Sequence, residues 1–357
     1  MLKHNLRDYH RVATAAAVAM FVSGVISSVG VAAESSGQAI HPRNIQLQFP
    51  TGRWVACLAS GDPEKPQPQA RLAIIVIHGS GGRSTNNMRW MVEAARRSGK
   101  LGETFVMAPQ FHSADDTPPP GEHYWSDGGW AAGDLSTDSA DRPKRLSSFA
   151  VADRLFDELS DSKRFPNLRR IVLAGHSAGG QFTNRYLAVG RLGSRRADSA
   201  QQIEYRFVVA NPSSYLYLDR RRPAGDGFQT PEKPPIGYNH WRYGLEHRNT
   251  YASQLRIDQI RQNVFARAAW CLIGTADNQQ DDQLAKAPPA MLEGVNRYDR
   301  WQNFRRYVAL FPEWRPQVTF AEVAGVAHSG RGMFTSRAAR EAMFGDAGSS
   351  ESRSDAR

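Results

Sequence analysis

The apolar positions of this chain fall into two alternating kinds of run. Short stretches rich in β-branched and aromatic residues, over 44–49, 53–59, 72–77, 104–108, 169–174, 206–210, 269–273 and 317–323, read as strands. Segments with apolar residues at helical spacing lie between most of them, over 86–98, 148–160, 179–189, 252–266, 289–307 and 331–344. Several strand runs, Ile74-Ile75-Val76-Ile77 most clearly, are apolar throughout, which is the pattern of a strand buried on both faces. The alternation predicts an α/β fold, a doubly wound, mostly parallel sheet of about eight strands with helices on both faces.

Two connections, over 109–147 and 211–251, are too long for simple turns. Both follow predicted strands, and in an open α/β sheet the carboxyl ends of strands border the ligand crevice. They are therefore expected to roof an active site as lid-like loops. Their aromatic stretches, Tyr124-Trp125-Ser126-Asp127-Gly128-Gly129-Trp130 and Asn211-Pro212-Ser213-Ser214-Tyr215, either line an acyl or aryl pocket or simply hold the loops down.

The ends of the chain read differently. Lys3, Arg7 and Arg11 precede an apolar stretch from Val12 to Val31, and Val31-Ala32-Ala33 supplies the small side chains of a signal-peptidase site. Residues 1–33 are expected to be a signal peptide cut before Glu34, with an uncleaved membrane anchor as the alternative. Cleavage would leave a domain over 34–345 with no stable membrane span, periplasmic or secreted. The Gly-, Ser-, Asp- and Arg-rich stretch over 346–357 reads as a disordered tail.

Composition narrows the chemistry. The chain of 357 residues, 41% hydrophobic and 22% charged, suits a globular enzyme. Its net charge of +10 comes mostly from arginines scattered along the chain, with no nucleic-acid-binding motif, so no nucleic-acid partner is expected. Cys57 and Cys271 are too few for a disulfide scaffold. In an exported protein they either pair or sit as separate buried thiols. No zinc spacing, P-loop or dinucleotide fingerprint occurs, so neither a metal nor a cofactor is expected.

The informative motif is Gly175-His176-Ser177-Ala178-Gly179-Gly180, which joins the predicted strand 169–174 to the helix 179–189. A strand that reverses sharply into a helix strains its central residue and crowds the positions two either side, and glycines relieve that crowding. Ser177 is then pushed out at a helix N-terminus, where unpaired N–H groups favour developing negative charge.

In these residues the chain resembles the α/β-hydrolase superfamily, and in particular exported esterases, lipases and polyester depolymerases. The resemblance implies an oxyanion loop after an earlier strand, and His78-Gly79-Ser80-Gly81-Gly82 follows strand 72–77. The N–H of Ser80 or Gly81 would join that of Ala178. It implies an acid after a late strand, at Asp277, with Asp281 and Asp282 as rivals on the same loop. It also implies a base after the last strand, at His328. The remaining mature-chain histidines fit lesser roles: His41 precedes the fold, His78 and His176 orient the glycine motifs, and His112, His123, His240 and His247 lie at the surface or face substrate. Together these imply hydrolysis of a small or polymeric ester through a Ser177 acyl-enzyme. A peptidase on the same parts, and a non-catalytic binding protein on the same fold, are the alternatives.

Overall fold

The computed structural model describes residues 40, 42–137, 144–192, 202–314 and 316–345. The expected signal peptide and tail lie outside the described residues. Eight strands share one sheet: β1 (Arg43–Gln48), β2 (Trp54–Ala59), β3 (Leu72–Ile77), β4 (Thr104–Pro109), β5 (Arg170–His176), β6 (Glu204–Ala210), β9 (Ala268–Gly274) and β10 (Val318–Val323). A small hairpin of β7 (Arg222–Ala224) and β8 (Gly227–Gln229) stands apart. The sheet order is β1-β2-β4-β3-β5-β6-β9-β10, with β1 and β2 antiparallel to their neighbours and every other pair parallel.

The unbroken apolar strands serve two cores at once, because successive side chains of a strand point to opposite faces. From β3, Ala73, Ile75 and Ile77 join one core while Leu72, Ile74 and Val76 join the other. The first core is closed by α2 (Ser148–Leu159), α3 (Ala178–Val189) and α4 (Ile257–Ala266). The second is closed by α1 (Ser84–Arg97), α7 (Gly330–Phe334) and α8 (Arg337–Phe344). A third, smaller core packs α6 (Arg297–Val308) against Cys271 and Ile273 of β9.

Three expected helices are interrupted, each at a capping residue. The run 252–266 is one 3-10 turn, Ala252–Gln254, then α4, separated by extended backbone at Leu255 and Arg256. The run 289–307 becomes α5 (Pro288–Met291) and α6, parted by Gly294 at φ 147° and by Asn296, whose side chain accepts from the Asp299 amide at 2.8 Å. The run 331–344 restarts at Ser336, which caps the Ala339 amide at 3.1 Å.

The two cysteines do not pair: both are free, buried thiols. Cys57 lies on β2 and Cys271 on β9, five strand spacings apart in the sheet. That separates them by about 24 Å, far beyond disulfide reach.

The second long connection begins in the interior. Residues 211–218 are all buried, forming a strap between α3 and α6. Its irregular backbone finds its partners in side chains, as a buried loop must. Tyr215 N–H donates to Glu293 Oε2 (2.8 Å), Leu216 N–H to Asn184 Oδ1 (2.9 Å) and Leu218 N–H to Tyr307 Oη (3.0 Å). The Ser213 carbonyl accepts from Arg300. Further along, the two long connections are tied together. Arg185, wholly buried in α3, donates to Ala131 O, Arg242 O and Ser214 Oγ, while Asn249 Nδ2 donates to Asp134 Oδ1 at 2.9 Å.

Glu293 gives this strap a pH signature. Burial pushes its carboxyl up to about 7, against the opposing pull of the Tyr215 amide and of Arg300, Arg222 and Arg185. Such a group keeps its proton in the folded state after the unfolded chain has lost its own near 4.5, so stability falls as pH rises between those values. Glu293→Gln is expected to flatten that dependence. Relative to wild type, its thermal midpoint should be higher at about pH 8 than at about pH 5. An equal offset at both pH values would contradict the assignment.

Candidate active site

β5 runs between β3 and β6 and stops at His176, and α3 starts at Ala178. The single residue between them, Ser177, has φ 59° and ψ −121°, a conformation that costs a non-glycine residue about 1–3 kcal/mol. The turn is held by the bond from Ser177 N–H to Ala210 O (3.0 Å). Its hydroxyl stands at the carboxyl edge of the sheet, on a residue only 6% exposed.

Asp277 and His328 arrive on the loops after β9 and β10, which interlock. Ala276 N–H donates to Val326 O (3.0 Å), Thr275 N–H to Val323 O (3.1 Å) and Gly325 N–H to Thr275 Oγ1 (2.9 Å). Gly274 permits the approach, since a Cβ there would fall 2.1 Å from the Val326 carbonyl oxygen. The two loops then share one geometry with the elbow. His328 Nδ1 lies 2.7 Å from Asp277 Oδ2, and His328 Nε2 lies 3.0 Å from Ser177 Oγ.

The partners decide the proton positions. Burial raises the Asp277 carboxyl, but the bonds and charge of His328, the charge of Arg297 and the amide of Asn211 outweigh it, leaving the carboxyl below its usual range and ionised at neutral pH. A carboxylate only accepts, so His328 Nδ1 carries the hydrogen and Nε2 is left to accept from the serine hydroxyl. The rival acids are placed elsewhere. Asp281 takes a bidentate bond from Arg297 (2.7 and 2.9 Å), and Asp282 is exposed beside Lys286 at 3.8 Å.

The loop after β3 borders the same spot: a Cβ on Gly79 would stand 3.4 Å from Ser177 Cβ and 3.9 Å from Oγ. Ser80 and Gly81 follow, both exposed, and Gly81 turns the chain with φ 60°. Ala178, as the first residue of α3, has an N–H with no partner one turn earlier. His78 anchors this loop. Phe111 N–H donates to its Nε2 (2.9 Å), so Nδ1 carries the hydrogen and donates to Gly79 O (2.8 Å), and burial holds the ring neutral with its pKa lowered to about 4. Trp130 packs on His78 with ring centroids 4.8 Å apart and stacks on Phe111 at 5.3 Å. These loop aromatics are buried and hold the segment down. His123, expected at the surface or facing substrate, is buried between Thr51 (2.9 Å) and Ser136 (3.0 Å).

Two contributors, Asn211 and Arg297, were given no such role from the sequence, and His176, expected to orient its glycine motif, packs on the imidazole. Asn211 sits at the end of β6 with φ 46°, donates to Asp277 Oδ2 at 2.5 Å and accepts from Gly274 N–H at 3.3 Å. Arg297, wholly buried at the start of α6, lies 3.2 Å from Asp277 Oδ1. His176 packs its ring on His328 with centroids 4.6 Å apart. Burial, and then the charge of His328, lower its pKa to about 3. Asn211 opens a stretch whose aromatics drew attention, but its role depends on β6 lying next to β9. Arg297 looks like any other of the chain's many arginines.

A scan against protein-family models finds no match, and a search of curated protein sequences finds no relative. Solved structures do resemble it. Poly(aspartic acid) hydrolase-1 from Sphingomonas sp. KT-1 matches at a TM-score of 0.59 with 22% identity, over 85% of this chain and 98% of that one. A poly(3-hydroxybutyrate) depolymerase from Bordetella parapertussis matches at 0.55 with 18% identity, over 83% of this chain and 88% of that one. The strand order, the strained turn between β5 and α3 and these two likenesses agree, and the chain has the α/β-hydrolase fold.

Proposed function

We propose that the protein is an exported serine hydrolase that cleaves carboxylic esters through a Ser177 acyl-enzyme. The observation that carries this reading is the 3.0 Å contact between Ser177 Oγ and the accepting nitrogen of His328. In the reaction Ser177 Oγ attacks the substrate carbonyl carbon as its proton passes to His328 Nε2. Asp277 holds the tautomer and stabilises the imidazolium that forms. The tetrahedral oxyanion is received by the amides of Ala178 and of Ser80 or Gly81, each donor supplying about 3–4 kcal/mol of transition-state stabilisation. The imidazolium protonates the leaving alkoxide. Water, deprotonated by His328, then attacks the acyl carbonyl carbon, and the imidazolium returns the proton to the departing Ser177 Oγ as the acid is released.

The similar folds are named for poly(3-hydroxybutyrate) and poly(aspartic acid), one ester-linked and one amide-linked. Acyl polymers are therefore natural substrates to try, and an amidase reading stands beside the esterase one. A fluorophosphonate probe is expected to label the mature protein and not Ser177→Ala; equal labelling of both would remove the nucleophile. Turnover of nitrophenyl esters well above that of peptide nitroanilides supports the esterase, and the reverse ranking the amidase. Export is tested by sequencing the amino terminus of protein recovered outside the cytoplasm, expected to begin at Glu34.

A further inference from the structure

Asp277 is not held by His328 alone. Its two oxygens face different partners: Oδ2 accepts from His328 and Asn211, and Oδ1 lies 3.2 Å from Arg297 Nη1. That guanidinium is wholly buried, and each of its three nitrogens donates. Nη1 also donates to Asp281 Oδ2 (2.7 Å), Nη2 to Asp281 Oδ1 (2.9 Å) and Nε to Ser213 Oγ (3.1 Å). Asp281 is thereby held well below its usual range, to about 2, first by the bonds from Arg297. A buried charge without a partner is costly, so a cation shared between two carboxylates is a built feature and not an incidental contact.

We propose that Arg297 and Asp281 form a paired positioning device for the Asp277 carboxylate, with Arg297 withdrawing part of its charge from His328 and Asp281 restoring it. The inference rests on the hydrolytic reading above. Before reaction the four groups sum to one negative charge, and when His328 takes the serine proton they sum to zero. The position of the Arg297 charge therefore bears directly on how readily the imidazolium forms.

Few other charged groups face His328. His176, from β5, is kept neutral by burial, and Ser177 and Asn211 carry no charge. On α7, Arg331 is exposed and paired with Glu93 of α1 at 2.9 Å. Asp281 itself feels the His328 charge.

The two halves of the device predict opposite effects. In Asp281→Asn the Arg297 charge is no longer divided and falls wholly on Asp277, so the imidazolium is less stabilised. The acid limb of the pH profile of kcat/KM is expected to move to lower pH by about half a unit or more. In Arg297→Gln the Asp277 and Asp281 carboxylates lose the cation between them, and the limb is expected to move to higher pH by about one unit. Arg297→Lys, which restores a cation without the fork, should return part of that shift.

Opposite displacements in the two variants support the device. Midpoints that stay fixed, or that move in the same direction, overturn it, because a merely structural role lowers the plateau or the stability and leaves the midpoints where they were. Should Arg297→Gln fail to fold, Asp281→Asn carries the test alone, its carboxylate being partly exposed. Wild-type activity that survives Ser177→Ala would instead sink the hydrolytic reading and take this proposal with it. Ser177-dependent activity with unmoved midpoints sinks the proposal alone.

Discussion

Ser177→Ala and His328→Ala are each expected to lower kcat for an activated ester by a factor on the order of 10⁵, and the double variant by no more than either single one. The non-additivity is the informative part. In the proposed mechanism the hydroxyl is a poor nucleophile until His328 Nε2, 3.0 Å away, accepts its proton, and the same proton is the one later given to the leaving alkoxide. Removing either partner removes the same event, so the second deletion has nothing left to take. Residual catalysis should remain in all three variants, since the amides of Ala178 and the 79–82 loop are backbone groups that neither substitution touches. Multiplying losses in the double variant would show that the two side chains act in separate steps. Initial rates on a nitrophenyl ester, with circular dichroism to confirm folding, decide between these outcomes.

Gly175→Ala is expected to have the largest effect on stability, about 4 kcal/mol or more, enough to unfold a protein of ordinary stability. A Cβ at Gly175 would lie 2.0 Å from the carbonyl oxygen of Gly179, and one at Gly179 would lie 2.2 Å from that of Ile77. Both clashes are with backbone, which a rotamer change cannot relieve. Gly175, Gly179 and the end of β3 are thus pressed together around Ser177, and the strained angles of that residue persist because this contact leaves the chain no other path. Gly102→Ala is the matched control. A Cβ there meets nothing within 4 Å, so it should change stability by about 1 kcal/mol or less. Denaturant midpoints for the two variants test the contrast; similar values would mean that the elbow relaxes more easily than its packing implies.

Much of this architecture is legible along the chain because its causes are local. Parity along β3 sends alternate side chains to two cores, and an unbroken apolar run is the direct trace of that. The elbow is equally local, since the residues that crowd Ser177 lie two positions on either side of it. Helix interruptions are less legible: Gly294 and Ser336 sit inside patterns that remain helical in spacing, and only the caps reveal the restart.

The buried course of 211–218 was hidden for a related reason. A Pro- and Tyr-rich stretch looks like a surface loop until Arg297, Arg300, Glu293 and Asn184, all from other segments, supply the hydrogen bonds that let it be buried.

What the sequence determined by itself was the alternation of elements, the sharp turn at Ser177 and three loops carrying a hydroxyl, a carboxylate and an imidazole. Which acid faces the imidazole was decided by the tertiary structure. Asp277 and Asp281 are four residues apart on one loop, and their fates diverge because His328 comes from 51 residues beyond Asp277 while Arg297 comes from α6. The cysteines were separated in the same way, by a strand order that places four strands between β2 and β9. Backbone strain and side-chain parity act over a few residues and leave their mark in the local sequence. Charge pairing and disulfide reach depend on distances between remote segments, which come into being only when the sheet assembles.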